Sequence, residues 1–457
     1  MPGYADLSLW LSSPSLDLAP RPSLDGDADV DVAIVGGGFT GLWTAYYLTQ
    51  LDPSLKVMVI EREVCGFGAS GRNGGWCVGE LPAGIETYTS HASHEAALRQ
   101  ARDLFATVDE VGRVAAAEGI DCGYTKGGVV RWARNRPQAE RQAAEIEHAR
   151  SEGFTEDEVR LLSPDEARSF GAASNVHSGV FFAACAAIDP ARLVRGLADV
   201  VEQRGVRIVE QTAATAVGSG HVATDKGTVR AGAVVRATEA YTRDLKGERR
   251  TLVPIYSLMI ATEPLDGATL AAVGLESRAT FADDRYMVVY GQRTEDGRIA
   301  FGGRGVPYAF GSGISPALEN NRRAHDLIHR TLVEILPDLA DVEITHRWGG
   351  VLAAPRNWTP SLWFDQATGF GSAGGYIGEG VAAANLAGRT MADLITETPS
   401  ERSTHPWVGI RSRKWEPEPA RWLGIRGTRA VMDRADNHEY AKDSASKIGR
   451  AAYQFLR

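Results

Sequence analysis

Val30-Asp-Val-Ala-Ile-Val35, Gly36-Gly-Gly-Phe-Thr-Gly41, Leu42-Trp-Thr-Ala-Tyr-Tyr-Leu48 and Lys56-Val-Met-Val-Ile-Glu61 succeed one another near the start of a 457-residue chain. The first run is apolar and β-branched, the composition of a buried parallel strand. Gly36, Gly38 and Gly41 form G-x-G-x-x-G and enclose Phe39 and Thr40. In such a motif the first glycine makes the tight turn. The second lets a pyrophosphate reach the backbone, and the third lets helix and strand pack closely. The helix that begins here turns its free N–H groups and partial positive charge toward a phosphate. A second strand ends in Glu61, twenty positions past Gly41, placed to accept hydrogen bonds from a ribose diol. Strand, glycine turn, helix and acid together point to a dinucleotide. They do not say whether it is FAD or a nicotinamide dinucleotide.

The composition narrows the class. Hydrophobic residues make up 44% and charged residues 23%, enough for a sizeable core and against global disorder. A net charge of −9 argues against a nucleic-acid partner. Cys65, Cys77, Cys122 and Cys185 show no C-x-x-C spacing, so neither a disulfide framework nor a zinc site is expected. Reduced thiols fit a cytoplasmic setting. No apolar run reaches 18 residues, so no membrane span is expected. His325 and His329 share the spacing of a zinc pair without a third ligand, and no metal is expected. Residues 1–29 read as a Pro/Ser/Asp-rich arm whose apolar part, Leu7 to Leu11, lies on the surface of the body.

Outward from Glu61, the loop from Cys65 to Trp76 holds five glycines with Ser70, Arg72 and Asn73, a segment whose backbone approaches something closely. Helices are predicted over 95–118, 137–151 and from the Ser163 and Asp189 caps. A strand at 205–210, a meander of short strands and a strand at 233–236 return the chain to the first sheet. Strands follow at 254–262, 285–290 and 298–303, with Tyr286, Val288 and Tyr290 on one face. One long helix is predicted after Ser315-Pro316, then a strand at 344–353. Phe370 to Gly380 repeats the pattern of strand, glycine turn and helix. The expected fold is α/β. A discontinuous Rossmann-like domain (30–90, 190–250, 345–398) carries an inserted α+β substrate domain (91–189, 251–344) on a mixed or antiparallel sheet. A helical tail (399–457) packs on the body or at a dimer contact, with a membrane-surface helix as the alternative.

These residues together resemble a known family. The glycine motif with Glu61, the Gly68-Ala-Ser-Gly-Arg-Asn-Gly-Gly75 loop, Arg236-Ala-Thr-Glu-Ala-Tyr241 and Gly375-Tyr-Ile-Gly-Glu-Gly-Val381 look like the D-amino-acid-oxidase-type FAD-dependent oxidoreductases. That family includes glycine and sarcosine oxidases. Thr262-Glu-Pro264 and Phe301-Gly-Gly-Arg-Gly305 are most similar to the gamma-glutamylputrescine oxidase branch. The resemblance implies FAD, with Gly36, Gly38 and Gly41 at the pyrophosphate and Glu61 at the ribose. It implies Arg62 beside the adenine, Ala214 as an adenine-side backbone contact, and Ala237 and Thr238 along the cofactor. It lays Ser70, Arg72, Asn73, Gly74 and Gly75 along the pyrophosphate, ribityl chain and flavin edge. Gly378, Glu379, Gly380 and Val381 come beneath the pyrimidine end, where a helix N-terminus favours negative charge. The segment from Gly349 to Pro355 lacks the cysteine by which some sarcosine oxidases hold FAD, so noncovalent FAD is expected.

The implied reaction is hydride transfer from the carbon beside an amine to flavin N5, followed by imine hydrolysis. Oxygen or another acceptor then reoxidises the flavin. A hydroxy-acid dehydrogenase or an NAD(P)H-dependent monooxygenase on the same scaffold is the alternative. The cofactor performs the difficult step, so no catalytic triad is expected. Substrate-side candidates are Tyr256, Tyr286, Tyr290, Arg304, Tyr308 and Trp348: an arginine to clamp a carboxylate, and aromatics to hold an ammonium or an apolar chain.

Overall fold

A computed structural model describes residues 3–303 and 308–449. Strand Ala28–Val35 lies at the centre of the first sheet. It pairs in parallel with Val57–Ile60 on one side and Thr228–Arg236 on the other. Arg207–Val209 extends one edge, while Phe370–Gly374 and then Ser361–Asp365 extend the other. The meander predicted between 215 and 229 is a β-ribbon, Ala214–Gly218 with His221–Thr224, leading into one long strand rather than two.

Helix Phe39–Leu51 has no polar face. Eleven of its thirteen residues are buried, which a helix can sustain only when packed on several sides. Helix Gly380–Ile395 lies along it. Their contact depends on Gly388, where a Cβ would stand 2.6 Å from the Trp43 Cβ. Helix His94–Ala117 joins this same core through Ala97, Ala101, Leu104, Val108 and Val111. Among the described residues no helix is long and apolar enough to cross a membrane.

The second sheet runs Ile344–Ala354, Val253–Thr262, Ile299–Gly303, Val289–Arg293, Thr280–Asp283, Val129–Ala133, Ser178–Phe182 and Val159–Leu162. All neighbours are antiparallel except Thr280–Asp283 with Val129–Ala133, so the sheet is mixed. Strand Ile344–Ala354, grouped by sequence with the first sheet, pairs along its length with Val253–Thr262 in the second. Alternation divides this sheet cleanly. Leu258, Ile260, Phe281, Phe301 and Val351 face a core closed by helix Arg322–Ile335. Met259, Ala261, Ala300 and Trp348 face the opposite way, toward Trp10, Leu11 and Ala191.

Three further expectations need correction. The strand placed at 285–290 begins only at Val289, because the N–H groups of Tyr286 and Met287 donate to Asp436 of the C-terminal helix instead of to a neighbouring strand. The long helix after Ser315 is two, Pro316–Glu319 and Arg322–Ile335. Asn321 accepts from the Ala324 N–H and restarts the second. The N-terminal arm is not a surface strip. Trp10 and Leu11 are 4% and 0% exposed, and Trp10 donates to the Asn73 carbonyl at 2.7 Å.

Candidate cofactor and substrate site

The ends of strands Ala28–Val35 and Thr228–Arg236 open into a cleft. It is walled by Gly36, Gly38, Phe39, Thr40, Glu61, Arg62, Ser70, Asn73, Ala214, Ala237, Thr238, Gly378, Gly380 and Val381. Segments far apart in sequence thus meet, as the resemblance implied. Two helix N-termini reach it, those of Phe39–Leu51 and Gly380–Ile395, and neither is capped by the side chain of its own N-cap residue, Gly38 or Glu379. Their first-turn N–H groups suit a pyrophosphate and an electron-rich ring edge.

The glycines are required by distance. Gly36 holds φ +117°, and a Cβ there would come 2.4 Å from the Ala237 carbonyl oxygen. Gly41 lies behind the wall. Its Cβ would come 2.0 Å from the Gly36 carbonyl oxygen, so it sets how closely the helix seats on the turn. Ser70 ties the glycine-rich loop to this turn by accepting from the Phe39 N–H at 2.9 Å. Glu61 accepts from the N–H groups of Gly37 at 2.7 Å and Glu63 at 2.9 Å. Burial raises its carboxyl above the ordinary range, against the pull of those two donors. At the outer end the Arg62 guanidinium stands 4.8 Å from the Tyr241 ring and donates to Asp244 at 3.2 Å.

Other expected cofactor residues serve the wall rather than form it. Arg72 is buried. It donates to the Phe67 carbonyl at 2.7 Å and pairs with Glu319 at 2.8 Å, tying the loop to the short helix Pro316–Glu319. Gly74 and Gly75 press against that sheet, where Cβ atoms would strike the Tyr290 ring at 2.3 Å and Gln292 Nε2 at 1.9 Å. Glu379 precedes the helix at Gly380 and does not line the cleft.

The sequence reading passed over Phe67, Glu239, Tyr241, Leu352 and Tyr376, all of which line the cleft. Glu239 and Tyr241 stand in the quoted strand end, so their position was itself the signal. Tyr376 meets Thr40 through a hydroxyl pair 3.1 Å apart, a contact across 336 residues of chain that no spacing announces.

The substrate-side candidates separate. The Tyr290 hydroxyl is 2.6 Å from Ser257 Oγ, on the sheet face turned toward the glycine-rich loop. Trp348 is a buttress there, buried and donating to the Arg72 carbonyl at 2.8 Å. Tyr286 is drawn away to Glu439 of the C-terminal helix. Arg304 lies outside the described residues. Tyr256 and Tyr308 line a second cavity of about 370 Å³ between the second sheet and the C-terminal tail. Tyr256 accepts from the Ser315 N–H, and Tyr308 donates to Glu418. Ile255 lines this cavity, and Leu352, its directly opposed partner on the next strand, lines the cleft.

A parallel sheet with a glycine turn, a ribose-side acid and a second helix terminus defines a dinucleotide-dependent oxidoreductase. The chain belongs to the FAD dependent oxidoreductase (DAO) family, whose model matches residues 31–394. It is 30% identical over 402 residues to the probable oxidoreductase OrdL of Rhizobium meliloti, covering 86% of this chain and 88% of that one. It is 29% identical over 391 residues to gamma-glutamylputrescine oxidoreductase of Escherichia coli, covering 82% and 86%. The fold matches glycine oxidase from Geobacillus kaustophilus with a TM-score of 0.69, at 20% identity over 84% of this chain and all of that one. The cofactor of this family is FAD, and the close-packed glycine cradle fits it.

Proposed function

We propose that this oxidoreductase acts on a primary or secondary amine, with FAD held noncovalently in the cleft. FAD supplies the two-electron acceptor for oxidation of the amine-bearing carbon. The resulting imine hydrolyses to a carbonyl compound, and oxygen or another acceptor takes up the electrons. The residues named for the cofactor would divide the work. Glu61 and Arg62 hold the adenosine end, and the Gly36–Gly38 turn holds the pyrophosphate. The helix beginning at Gly380 offers N–H groups to the ring that gains charge. Phe67, Tyr241 and Leu352 exclude water.

One observation carries the reading. Leu352 of the cleft is the opposed strand partner of Ile255, which lines a cavity walled mostly by aromatic and aliphatic side chains, with Arg356, Glu416, Arg421 and Arg429 among them. A largely apolar wall near the cleft would favour a neutral amine and keep water from the reacting carbon. The likeness to a gamma-glutamylputrescine oxidoreductase points the same way. The test is anaerobic mixing of the yellow protein with amines, amino acids and hydroxy acids, followed by air and a peroxide assay. Bleaching by an amine supports the reading. Bleaching by hydroxy acids alone, or by NAD(P)H alone, overturns it.

A further inference from the structure

Five successive carbonyls of the glycine-rich loop, Gly71 to Gly75, each accept a hydrogen bond from outside the loop. Gly71 takes it from Ser8 Oγ at 2.9 Å, Arg72 from Trp348 Nε1 at 2.8 Å and Asn73 from Trp10 Nε1 at 2.7 Å. Gly74 takes it from Gln292 Nε2 at 2.8 Å and Gly75 from the Ile188 N–H at 2.9 Å. Glycines lose the most freedom on ordering, and a buried carbonyl left without a donor is costly. The loop backbone therefore stands where these donors put it. Two of the five, Ser8 and Trp10, come from the N-terminal arm, ahead of residue 31 where the family match begins.

We propose that Ser8 and Trp10 are positioning residues of the flavin site. They act through the loop. By holding the carbonyls of Gly71 and Asn73 they fix Ser70 and Asn73, which line the cofactor cleft, while neither Ser8 nor Trp10 lines it. Both are buried, at 3% and 4% exposure. Ser8 Oγ also accepts from the Leu11 N–H at 3.1 Å, so its hydroxyl is engaged in both senses. The Trp10 ring meets that of Trp348 edge to face at 6.2 Å, so two packed indoles donate to adjacent carbonyls. Asn73 carries the constraint onward. Its Oδ1 accepts from the Gly75 N–H at 2.8 Å, and its Nδ2 donates to the Ser70 carbonyl at 3.1 Å. Further along the arm, Arg21 pairs with Asp199, Glu202 and the buried Glu210. Glu210 in turn accepts from the Cys65 N–H at 2.7 Å, where the loop begins. Groups around a reacting ring keep their places only when the residues behind them are themselves held. The proposal rests on FAD lying in the cleft and is independent of the substrate class.

The test uses the full-length, FAD-loaded enzyme. Trp10→Phe removes the indole donor and keeps a ring against Trp348, and Ser8→Ala removes the hydroxyl. Dialysis against decreasing FAD should show each variant binding it about tenfold more weakly, the effect of one buried acceptor losing its donor. The deciding readout is the reduction potential of the bound flavin, taken with dyes at FAD concentrations that fill every variant. The ratio of affinities for oxidised and reduced FAD should change by about threefold or more, roughly 14 mV for a two-electron couple. Ser13→Ala, whose hydroxyl meets that of Ser15 within the arm, is the control and should match the parent in both readouts. Should Trp10→Phe fail to fold, Ser8→Ala decides by the same readouts. An arm that only stabilises the fold would lower the melting temperature and leave the saturated flavin at the parent's potential, and that result overturns the proposal. So does a parent-like FAD affinity in both variants. If Gly41→Ala keeps the parent's affinity as well, the placement of FAD in the cleft fails, and the proposal with it.

Discussion

Glu239 accepts a 2.7 Å hydrogen bond from the backbone N–H of Gly375, joining the end of strand Thr228–Arg236 to the turn before the last helix. Its backbone is left-handed, with φ +43°, and a Cβ on Gly374 would stand 2.5 Å from its carboxylate. Burial pushes this carboxyl up to about 7 from an ordinary 4.5, and the backbone donors only partly oppose that. An acid raised on folding holds its proton more tightly in the folded chain. Its contribution to stability is complete below about 4.5 and is lost as pH rises through about 7. The shift corresponds to at most about 3 kcal/mol. Glu239→Gln removes the titration and keeps an acceptor for Gly375. With FAD stripped, urea midpoints of the two proteins should coincide near pH 5, and the variant should be the more stable near pH 8. Parallel pH profiles would show that Glu239 does not titrate in this window.

Gly41 and Gly36 make a different prediction. Gly41→Ala sets a methyl 2.0 Å from the Gly36 carbonyl, so either the helix or the phosphate turn must move. The expected result is a folded protein that has lost most of its flavin. The affinity should fall about a hundredfold, roughly 3 kcal/mol. Dialysis against FAD with a fluorescence readout measures it. Gly218→Ala, with nothing within 4 Å of its Cβ, is the control and should stay yellow.

The same turn shows what the sequence made legible. Glycine spacing, flanking strands and Glu61 are local signals, and the structure assembles them as read. What failed depended on distant partners. Residues 285–290 have strand character, but Asp436, some 150 positions away, takes the N–H groups of Tyr286 and Met287. The arm around Trp10 looks dispensable until the loop at Asn73 offers it a carbonyl. Tyr256 and Tyr308 were singled out as substrate-side aromatics, yet the helix that closes a cavity over them has no motif. Its lining face includes Arg421 and Arg429, which a hydropathy pattern counts as surface.

Attachment of the cofactor is a third test. The described chain holds four free cysteines, all buried. Cys65 lies by the phosphate turn, its Sγ 2.7 Å from where a Cβ on Gly37 would stand, and neither residue lines the cleft. Burial raises its thiol well above the ordinary range, and raises those of Cys122 to about 11 and Cys185 to about 12. A thiol kept protonated is a poor nucleophile toward a flavin. Acid precipitation should therefore leave all the yellow colour in the supernatant. Flavin retained on the denatured pellet would show a covalent bond.

Arg72 and Glu319 supply the last prediction. Their 2.8 Å pair joins the glycine-rich loop to the short helix Pro316–Glu319, and both side chains are largely buried. Burial raises the Glu319 carboxyl, while Arg72 pulls it back down. Removing Arg72 leaves that carboxylate without its cation and the Phe67 carbonyl without its donor. Arg72→Met should cost about 3 kcal/mol in urea unfolding. It should also weaken FAD, since Ser70 and Asn73 sit on the same loop. Arg72→Lys should recover only part of the loss, because one ammonium cannot reach both Phe67 and Glu319 in the fixed geometry of a guanidinium. Replacing both residues, Arg72→Met with Glu319→Gln, should recover stability but not flavin affinity. That split would separate the buried charge from the placement of the loop. Equal recovery of both would mean that the pair acts only through stability.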